Sequence, residues 1–141
     1  MWKFRVRQGP RRGRYVYPDA LVFCGPPQFD PDDVKRHTIL NPRVIIEVLS
    51  PSTEAYDRGD KFAQYREIDG FEEYILIAQD RPHVESILRQ PDGAWSFQTF
   101  TGLASAARVR CLGLEIAMSE IYAGVEWPAP EDESARGADP T

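Results

Sequence analysis

The stretch Val44-Ile45-Ile46-Glu47-Val48-Leu49-Ser50-Pro51-Ser52-Thr53-Glu54 decides the fold. Its first six residues form an apolar, β-branched run typical of a strand in the middle of a sheet covered on both faces. Ser50-Pro51 then supplies a turn, Ser52 or Thr53 can cap a helix, and Glu54 suits a first helical turn. We therefore expect a buried strand followed directly by a helix that packs back along the sheet.

Glu47 is the residue in this strand that conflicts with its surroundings. An ionised carboxylate buried without a partner costs several kcal/mol, so Glu47 needs a cation beside it. Two kinds of partner are open at this point. Arg43 or Arg66 could form a structural ion pair with Glu47, or a metal ion could bind it.

Asp19 raises the same question, because it lies between Tyr17 and the apolar residues Leu21-Val22-Phe23. It could cap a turn after Pro18. Two strand carboxylates that face each other repel unless a cation lies between them. A hard divalent cation with oxygen ligands, Mg²⁺ or Mn²⁺, would resolve that conflict and could catalyse phosphoester hydrolysis. Asp19 and Glu47 are then the expected ligands, with the backbone oxygen of Val48 as an additional one.

Lys61 is the third candidate of this site. The strand advances about 10 Å between Glu47 and Ser50, and a helix starting near Thr53 returns about 12 Å by Lys61. Lys61 is therefore expected level with Glu47, where it could orient the attacking water or neutralise charge on a phosphate. The alternative is an i, i+4 ion pair between Asp57 and Lys61 on a solvated helix face.

The rest of the sequence predicts an α/β fold. Helical spacing of Phe62, Tyr65 and Ile68 extends the helix to about Ile68. Alternation of apolar and polar residues, together with turn signals, predicts the remaining elements. These are strands at Trp2 to Gln8, Arg14 to Cys24 with an interruption at Pro18-Asp19, Glu73 to Ala78, Val84 to Arg89, Trp95 to Thr101 and Ala106 to Leu112, and a short helix from Ile116 to Tyr122.

Length and composition narrow the class of protein. The 141 residues suit one domain, which we place at residues 1–126, with a disordered tail at 127–141. No apolar run is long enough to span a membrane, and the first residues alternate charge where a signal peptide would be apolar, so we expect the cytoplasm. Cys24 and Cys111 lack ligand spacing for zinc and are expected to be core thiols.

Charge counts against general DNA binding, because 17 basic and 22 acidic residues give a net charge of −5. Its distribution is uneven. The first fourteen residues hold six basic and no acidic side chains. They suit either a charged edge strand protected from aggregation or a surface that contacts phosphates, and both interpretations remain open.

Four blocks together resemble the Uma family of restriction-endonuclease-like proteins, which belongs to the PD-(D/E)XK nuclease superfamily. They are Tyr17-Pro18-Asp19-Ala20-Leu21-Val22-Phe23, Glu47-Val48-Leu49-Ser50-Pro51-Ser52-Thr53, Asp57-Arg58-Gly59-Asp60-Lys61 with Tyr65-Arg66, and Glu72-Glu73-Tyr74-Ile75-Leu76-Ile77. The resemblance runs from about Arg14 to Tyr122. It implies a restriction-endonuclease-like fold, a central mixed β-sheet flanked by helices, in which Asp19 and Glu47 are the metal-binding acids.

The chain departs from the pattern in two places. The superfamily signature has a lysine two residues after the acid, but Leu49 stands there, so the resemblance transfers the lysine role to Lys61 on the following helix. Family members usually begin with a helix and an extra strand before the Pro18-Asp19 block. The chain is therefore expected to be truncated, with apolar surface uncovered on one face of the sheet.

Two functions follow as hypotheses. The first is a Mg²⁺- or Mn²⁺-dependent endonuclease that hydrolyses DNA phosphodiester bonds with Asp19, Glu47 and Lys61. The second is a catalytically inactive binding or assembly module that keeps the nuclease fold. DNA is the expected partner of the first, membranes are expected to play no part, and a homodimer is expected if both strands are cut.

Overall fold

The computed structural model describes residues 5–7 and 15–127 of the chain. The described residues form ten strands: β1 (Arg5–Arg7), β2 (Tyr15–Val16), β3 (Ala20–Val22), β4 (Thr38–Ile39), β5 (Val44–Leu49), β6 (Glu73–Ala78), β7 (His83–Arg89), β8 (Trp95–Thr101), β9 (Ala106–Val109) and β10 (Leu114–Ala117). The predicted strand at Trp2 to Gln8 is confirmed over Arg5–Arg7, and its other residues lie outside the described ranges.

The main sheet has five strands in the order β3-β5-β6-β7-β8. Strands β5 and β6 are parallel, whereas the other neighbouring pairs are antiparallel. The central mixed sheet is therefore confirmed. The predicted bounds of β5, β6 and β8 are correct, and β7 begins one residue earlier than predicted, at His83.

The connection from β5 to β6 is helical, as a parallel pair requires. It consists of α1 (Glu54–Tyr56), a π-helical turn (Asp57–Lys61) and α2 (Phe62–Tyr65), so it ends before Ile68. Thr53 precedes the helix but makes no side-chain cap. Its hydroxyl group lies 2.8 Å from the Ser50 hydroxyl instead, which is why the predicted capping bond is missing.

Two smaller sheets complete the described fold. Strand β1 pairs antiparallel with β2 and parallel with β4. Strands β9 and β10 form an antiparallel hairpin joined by a 3-10 turn (Arg110–Leu112).

The predicted helix from Ile116 to Tyr122 is wrong in its first part, since β10 runs to Ala117 and α3 covers only Met118–Ile121. Pairing with β9 outweighs local helix propensity there.

Both faces of the main sheet are covered. One core cluster includes Ile45, Leu49, Phe62 and Tyr65, and so lies under the 54–65 helical segment. The other joins strand residues to Met118 and neighbouring residues of the C-terminal hairpin and helix. Glu47 is opposite Leu76, which is opposite Glu85, so these three side chains share one face of the sheet.

One expectation about a single residue is corrected. Cys24 is exposed and Cys111 is half-buried, so Cys24 is not a core thiol. Trp127, the first residue of the predicted tail, lies against the Tyr122 ring at 5.2 Å between centroids. Residues 128–141, the rest of that predicted tail, lie outside the described ranges. No helix in the described part of the chain is long and apolar enough to cross a membrane.

Candidate active site

The site is built around Glu47, whose side chain is nearly inaccessible to solvent. Strand β5 carries it into the core, where the residue is 2% exposed. Its partner is Lys61, whose Nζ lies 2.8 Å from Glu47 Oε1. The Tyr65 hydroxyl donates a second hydrogen bond to the same oxygen at 3.1 Å. The predicted position of Lys61, level with Glu47, is thereby confirmed, whereas its chemical role stays a prediction.

Asp57 is the second buried carboxylate beside Lys61. Its Oδ1 lies 3.4 Å from Lys61 Nζ, and the residue is 3% exposed. The Tyr74 hydroxyl donates to the Asp57 backbone oxygen at 2.9 Å and fixes the helix to β6. Asp57 and Lys61 open and close the π-helical turn, a local widening of the helix that occurs often at functional sites. The i, i+4 pair is therefore present, but it is buried and not on a solvated face.

Asp19 approaches from the neighbouring strand. It lies in a bend immediately before β3, and it is exposed, so the strand Arg14 to Cys24 is interrupted where the sequence predicts but Asp19 is not buried. Its Oδ2 accepts a hydrogen bond from the Val48 backbone N–H at 2.8 Å. The pairing of β3 with β5 begins with Ala20 opposite Ile46, so Asp19, the residue before Ala20, comes next to Glu47 in that register.

The charges around Glu47 favour the binding of a further cation beside it. Burial raises the pKa of Glu47, Lys61 opposes that shift, and the charge of Asp19 adds to it. Burial also disfavours the charged form of Lys61, but the contacts with Glu47 and Asp57 outweigh it, so the pKa of Lys61 is raised. Two carboxylates, Glu47 and Asp57, contact the one ammonium group, and Asp19 acts on Glu47 through its charge. Three carboxylates and one ammonium group have a formal charge of −2.

Glu47 and Asp19 each have one carboxylate oxygen that accepts no hydrogen bond in the described part of the chain. Within the described part of the chain, Glu47 accepts hydrogen bonds only at Oε1, and Asp19 only at Oδ2. The N–H and C=O groups of a strand residue point to the same side, so the Val48 carbonyl faces the Asp19 edge of β5. Three oxygen donors of the kind that Mg²⁺ binds are thus available on two neighbouring segments.

The alternative partners predicted for Glu47 are engaged elsewhere. Arg43 donates from Nε to Glu72 at 2.8 Å and from Nη1 to the Cys24 sulfur at 3.1 Å. The Arg66 guanidinium lies over the Phe62 ring, 5.2 Å from its centroid. A structural ion pair does satisfy Glu47, but Lys61 provides it in place of either arginine.

Three features of the site are not evident from the sequence. The sequence predicts Asp57 in solvent, because i, i+4 spacing indicates pairing without indicating burial. The hydroxyl groups of Tyr65 and Tyr74 are obscured by the apolar role of their rings, both of which are fully buried. Burial raises the pKa of both tyrosines, as do Glu47 and other nearby groups, so both stay protonated hydrogen-bond donors.

A larger ligand set is not present in the described part of the chain. Across residues 5–7 and 15–127, no group of three or more His, Cys, Asp or Glu side chains is arranged to hold a metal ion. Mg²⁺ is commonly held by one or two carboxylates and retains several waters.

The described residues thus form a mixed sheet with a helical segment on one face, one acid on β5 and a second acid immediately before β3. The Uma2 family model, described as "Putative restriction endonuclease", matches residues 2–119. The chain belongs to this family. The resemblance to the Uma family seen in the sequence is therefore confirmed, as is the fold class.

Two curated relatives come from Synechocystis sp. The chain is similar to the uncharacterized protein slr1290, with 33% identity over 79% of this chain and 56% of that protein. It is also similar to the uncharacterized protein sll1609, with 36% identity over 62% of this chain and 49% of that protein. The chain thus spans about half the length of the curated relatives it matches.

One solved structure shares the fold. It is described as "a putative nuclease belonging to DUF820" from Anabaena variabilis. The TM-score is 0.64 at 17% identity, and the match covers 87% of this chain and 66% of that one. At this identity the likeness concerns the fold alone.

Proposed function

We propose that this chain is the nuclease unit of a DNA endonuclease that depends on Mg²⁺ or Mn²⁺. The observation that carries the proposal is the buried Glu47, which contacts Lys61 on one side and feels the charge of Asp19 on the other, while Asp57 is the second carboxylate on Lys61. Three carboxylates with one lysine, and oxygen donors on β5 and just before β3, suit a hard divalent cation. Membership of a family described as restriction endonucleases supports the same chemistry.

Asp19, Glu47 and the Val48 carbonyl would hold the cation. When bound, a cation of this type lowers the pKa of a water molecule and neutralises charge on the phosphate. The residues of the chain supply the remaining functions. Val48 N–H holds Asp19 in place through its 2.8 Å hydrogen bond, and Tyr65 fixes the orientation of Glu47.

Lys61 would act on the phosphate through its positive charge. Its raised pKa keeps the ammonium group charged at neutral pH. Asp57 holds the lysine from the helical side, so that the amine is positioned before substrate arrives. A preorganised cation beside the phosphate stabilises the charge that develops during hydrolysis.

Nicking of supercoiled plasmid DNA tests the proposal. With Mg²⁺ or Mn²⁺, the wild type should nick, EDTA should abolish nicking, and Glu47→Ala should reduce the rate by at least about 100-fold, as loss of a catalytic electrostatic group does. Glu115→Ala is the matched control. This glutamate is on the C-terminal hairpin with 62% of its side chain exposed, so its loss should leave nicking unchanged. Equal nicking by wild type and Glu47→Ala would refute the proposal.

A second candidate function is a binding module without chemistry. One observation favours it: Lys61 already balances Glu47 at 2.8 Å, so the fold can satisfy this carboxylate without a metal ion. Calorimetric titration separates the two functions. Heat of binding at millimolar Mn²⁺ that disappears in Glu47→Gln supports the endonuclease, and no binding supports the module.

The compartment and the assembly are also proposals. We place the protein in the cytoplasm, because the DNA proposed as its substrate would be reached there. A homodimer would let two sites cut both strands of a duplex, and sedimentation of the purified protein would measure it.

A further inference from the structure

Exposed apolar residues neighbour the three acids in the sequence, and of these Val48 points to the opposite face of β5 from Glu47. Tyr17 is 52% exposed, Tyr56 is 47% exposed and Val48 is 43% exposed. Tyr17 precedes Asp19 by two residues, about 7 Å of extended chain. Tyr56 directly precedes Asp57, and Val48 directly follows Glu47. Each of the three carboxylates thus has an exposed apolar neighbour within two residues.

The two tyrosines leave about half of their surface open to solvent. Within the described part of the chain, neither ring stacks on another aromatic ring. The other tyrosines beside the site behave differently, because Tyr65 and Tyr74 are fully buried and donate hydrogen bonds. Tyr17 and Tyr56 therefore present exposed aromatic faces at the rim of the site.

The cations of the adjoining helix are already paired. Lys61 contacts Glu47 and Asp57, and Arg58 contacts Glu54 and Glu85. Basic groups that meet phosphates contribute to the binding of duplexes and of single strands. The 54–65 segment offers no unpaired basic side chain. Its exposed aromatic ring can still add binding energy by stacking on bases, as aromatic side chains do in proteins that bind single strands.

We propose that Tyr17 and Tyr56 stack on unpaired nucleobases, so that the substrate of this site is single-stranded nucleic acid. The inference rests on the proposed function of the same site. Base pairing hides the faces of the bases inside a duplex, whereas a single strand can place successive bases on exposed rings. The stack would lie beside the carboxylates and bring a phosphodiester bond toward Asp19 and Glu47.

Fluorescence anisotropy in EDTA tests the inference without any cleavage. The probes are a labelled single-stranded oligonucleotide of about 20 residues and the blunt duplex of the same sequence. The wild type should bind the single strand more tightly. Tyr17→Ala and Tyr56→Ala should each weaken single-strand binding by about 5- to 100-fold, the range for loss of one stacked base. Tyr17→Phe and Tyr56→Phe keep the ring and should stay within about twofold.

Phe97→Ala is the matched control. Phe97 is 68% exposed on the edge strand β8, three strands away from β5, so its removal should not change binding. The inference is overturned if the wild type prefers the duplex, if the alanine variants bind as the wild type does, or if no single strand binds at about 100 µM protein, the weak end of non-specific binding. Failure of the proposed function is distinguishable, since it would show as an absence of metal-dependent cleavage of both plasmid and single-stranded DNA while single-strand binding in EDTA persists.

Discussion

Replacement of Lys61 by methionine is the perturbation whose outcome the structure defines most sharply. The lysine is 7% exposed and separates two carboxylates that are 2% and 3% exposed. Its ammonium group lies 2.8 Å from Glu47 and 3.4 Å from Asp57. Lys61→Met therefore leaves two buried negative charges that face each other without a cation.

The expected loss in the free energy of unfolding is about 3–5 kcal/mol, the usual cost of removing one partner from a buried ion pair. For a chain of this size, that corresponds to a fall in Tm of roughly 10–20 °C. Glu47→Gln should cost less, about 1–2 kcal/mol, because Lys61 keeps Asp57 and one desolvated charge is removed. We therefore also predict that Lys61→Met lowers the free energy of unfolding more than Glu47→Gln does.

Urea unfolding followed by tryptophan fluorescence measures both variants. Trp95 is a suitable reporter, because its ring contacts Phe62 of the helix at 5.2 Å between centroids. Arg81→Met is the control, since it breaks an exposed ion pair and should change stability by less than about 0.5 kcal/mol. Lys61→Met within about 1 kcal/mol of the wild type, or less harmful than Glu47→Gln, would refute this account of the site.

Three further predictions concern stability. Tyr65→Phe removes the 3.1 Å hydrogen bond to Glu47 and should cost about 1.5 kcal/mol by thermal unfolding. Glu73→Ala should cost at least about 3 kcal/mol, because this fully buried carboxylate accepts a hydroxyl bond at 2.6 Å and backbone bonds at 2.8 and 3.0 Å. Burial opposes ionisation of Glu85, but Arg58 and a neighbouring histidine outweigh it, so its pKa lies below 4.5. Its contribution is complete above pH 4.5 and is lost as pH falls through the lowered pKa, so Glu85→Gln should flatten the acid side of the stability curve, measured by urea unfolding between about pH 3 and 6.

The sequence predicts the backbone elements that carry the site better than it predicts which side chains pair with each other. An apolar run fixes β5, and the rises of strand and helix are regular enough to place Lys61 beside Glu47 by counting residues. Those quantities depend on backbone geometry alone. The identity of a buried residue's partner depends on side-chain packing, which is why Arg43 and Arg66 are equally reasonable partners for Glu47 on sequence grounds.

Local sequence patterns also fail to predict secondary structure where the same pattern suits both a strand and a helix. Leu114-Glu115-Ile116 suits either a short strand or the start of a helix, and pairing with β9 decides in favour of the strand. The π-helical turn leaves no mark in the sequence, because one extra residue per turn changes no apolar spacing over so short a segment. Asp57 is the first residue of that turn and is buried there, so the sequence does not predict its contact with Lys61 in the core.

The central claim is that Asp19 and Glu47 bind one divalent cation together. An anomalous difference map from crystals soaked in Mn²⁺ tests it most directly. We expect a single strong peak with one oxygen of each carboxylate about 2.2 Å away, as hard cations bind oxygen ligands. A map with no peak there, or with a peak that contacts neither acid while Lys61 still bonds Glu47, would contradict the claim.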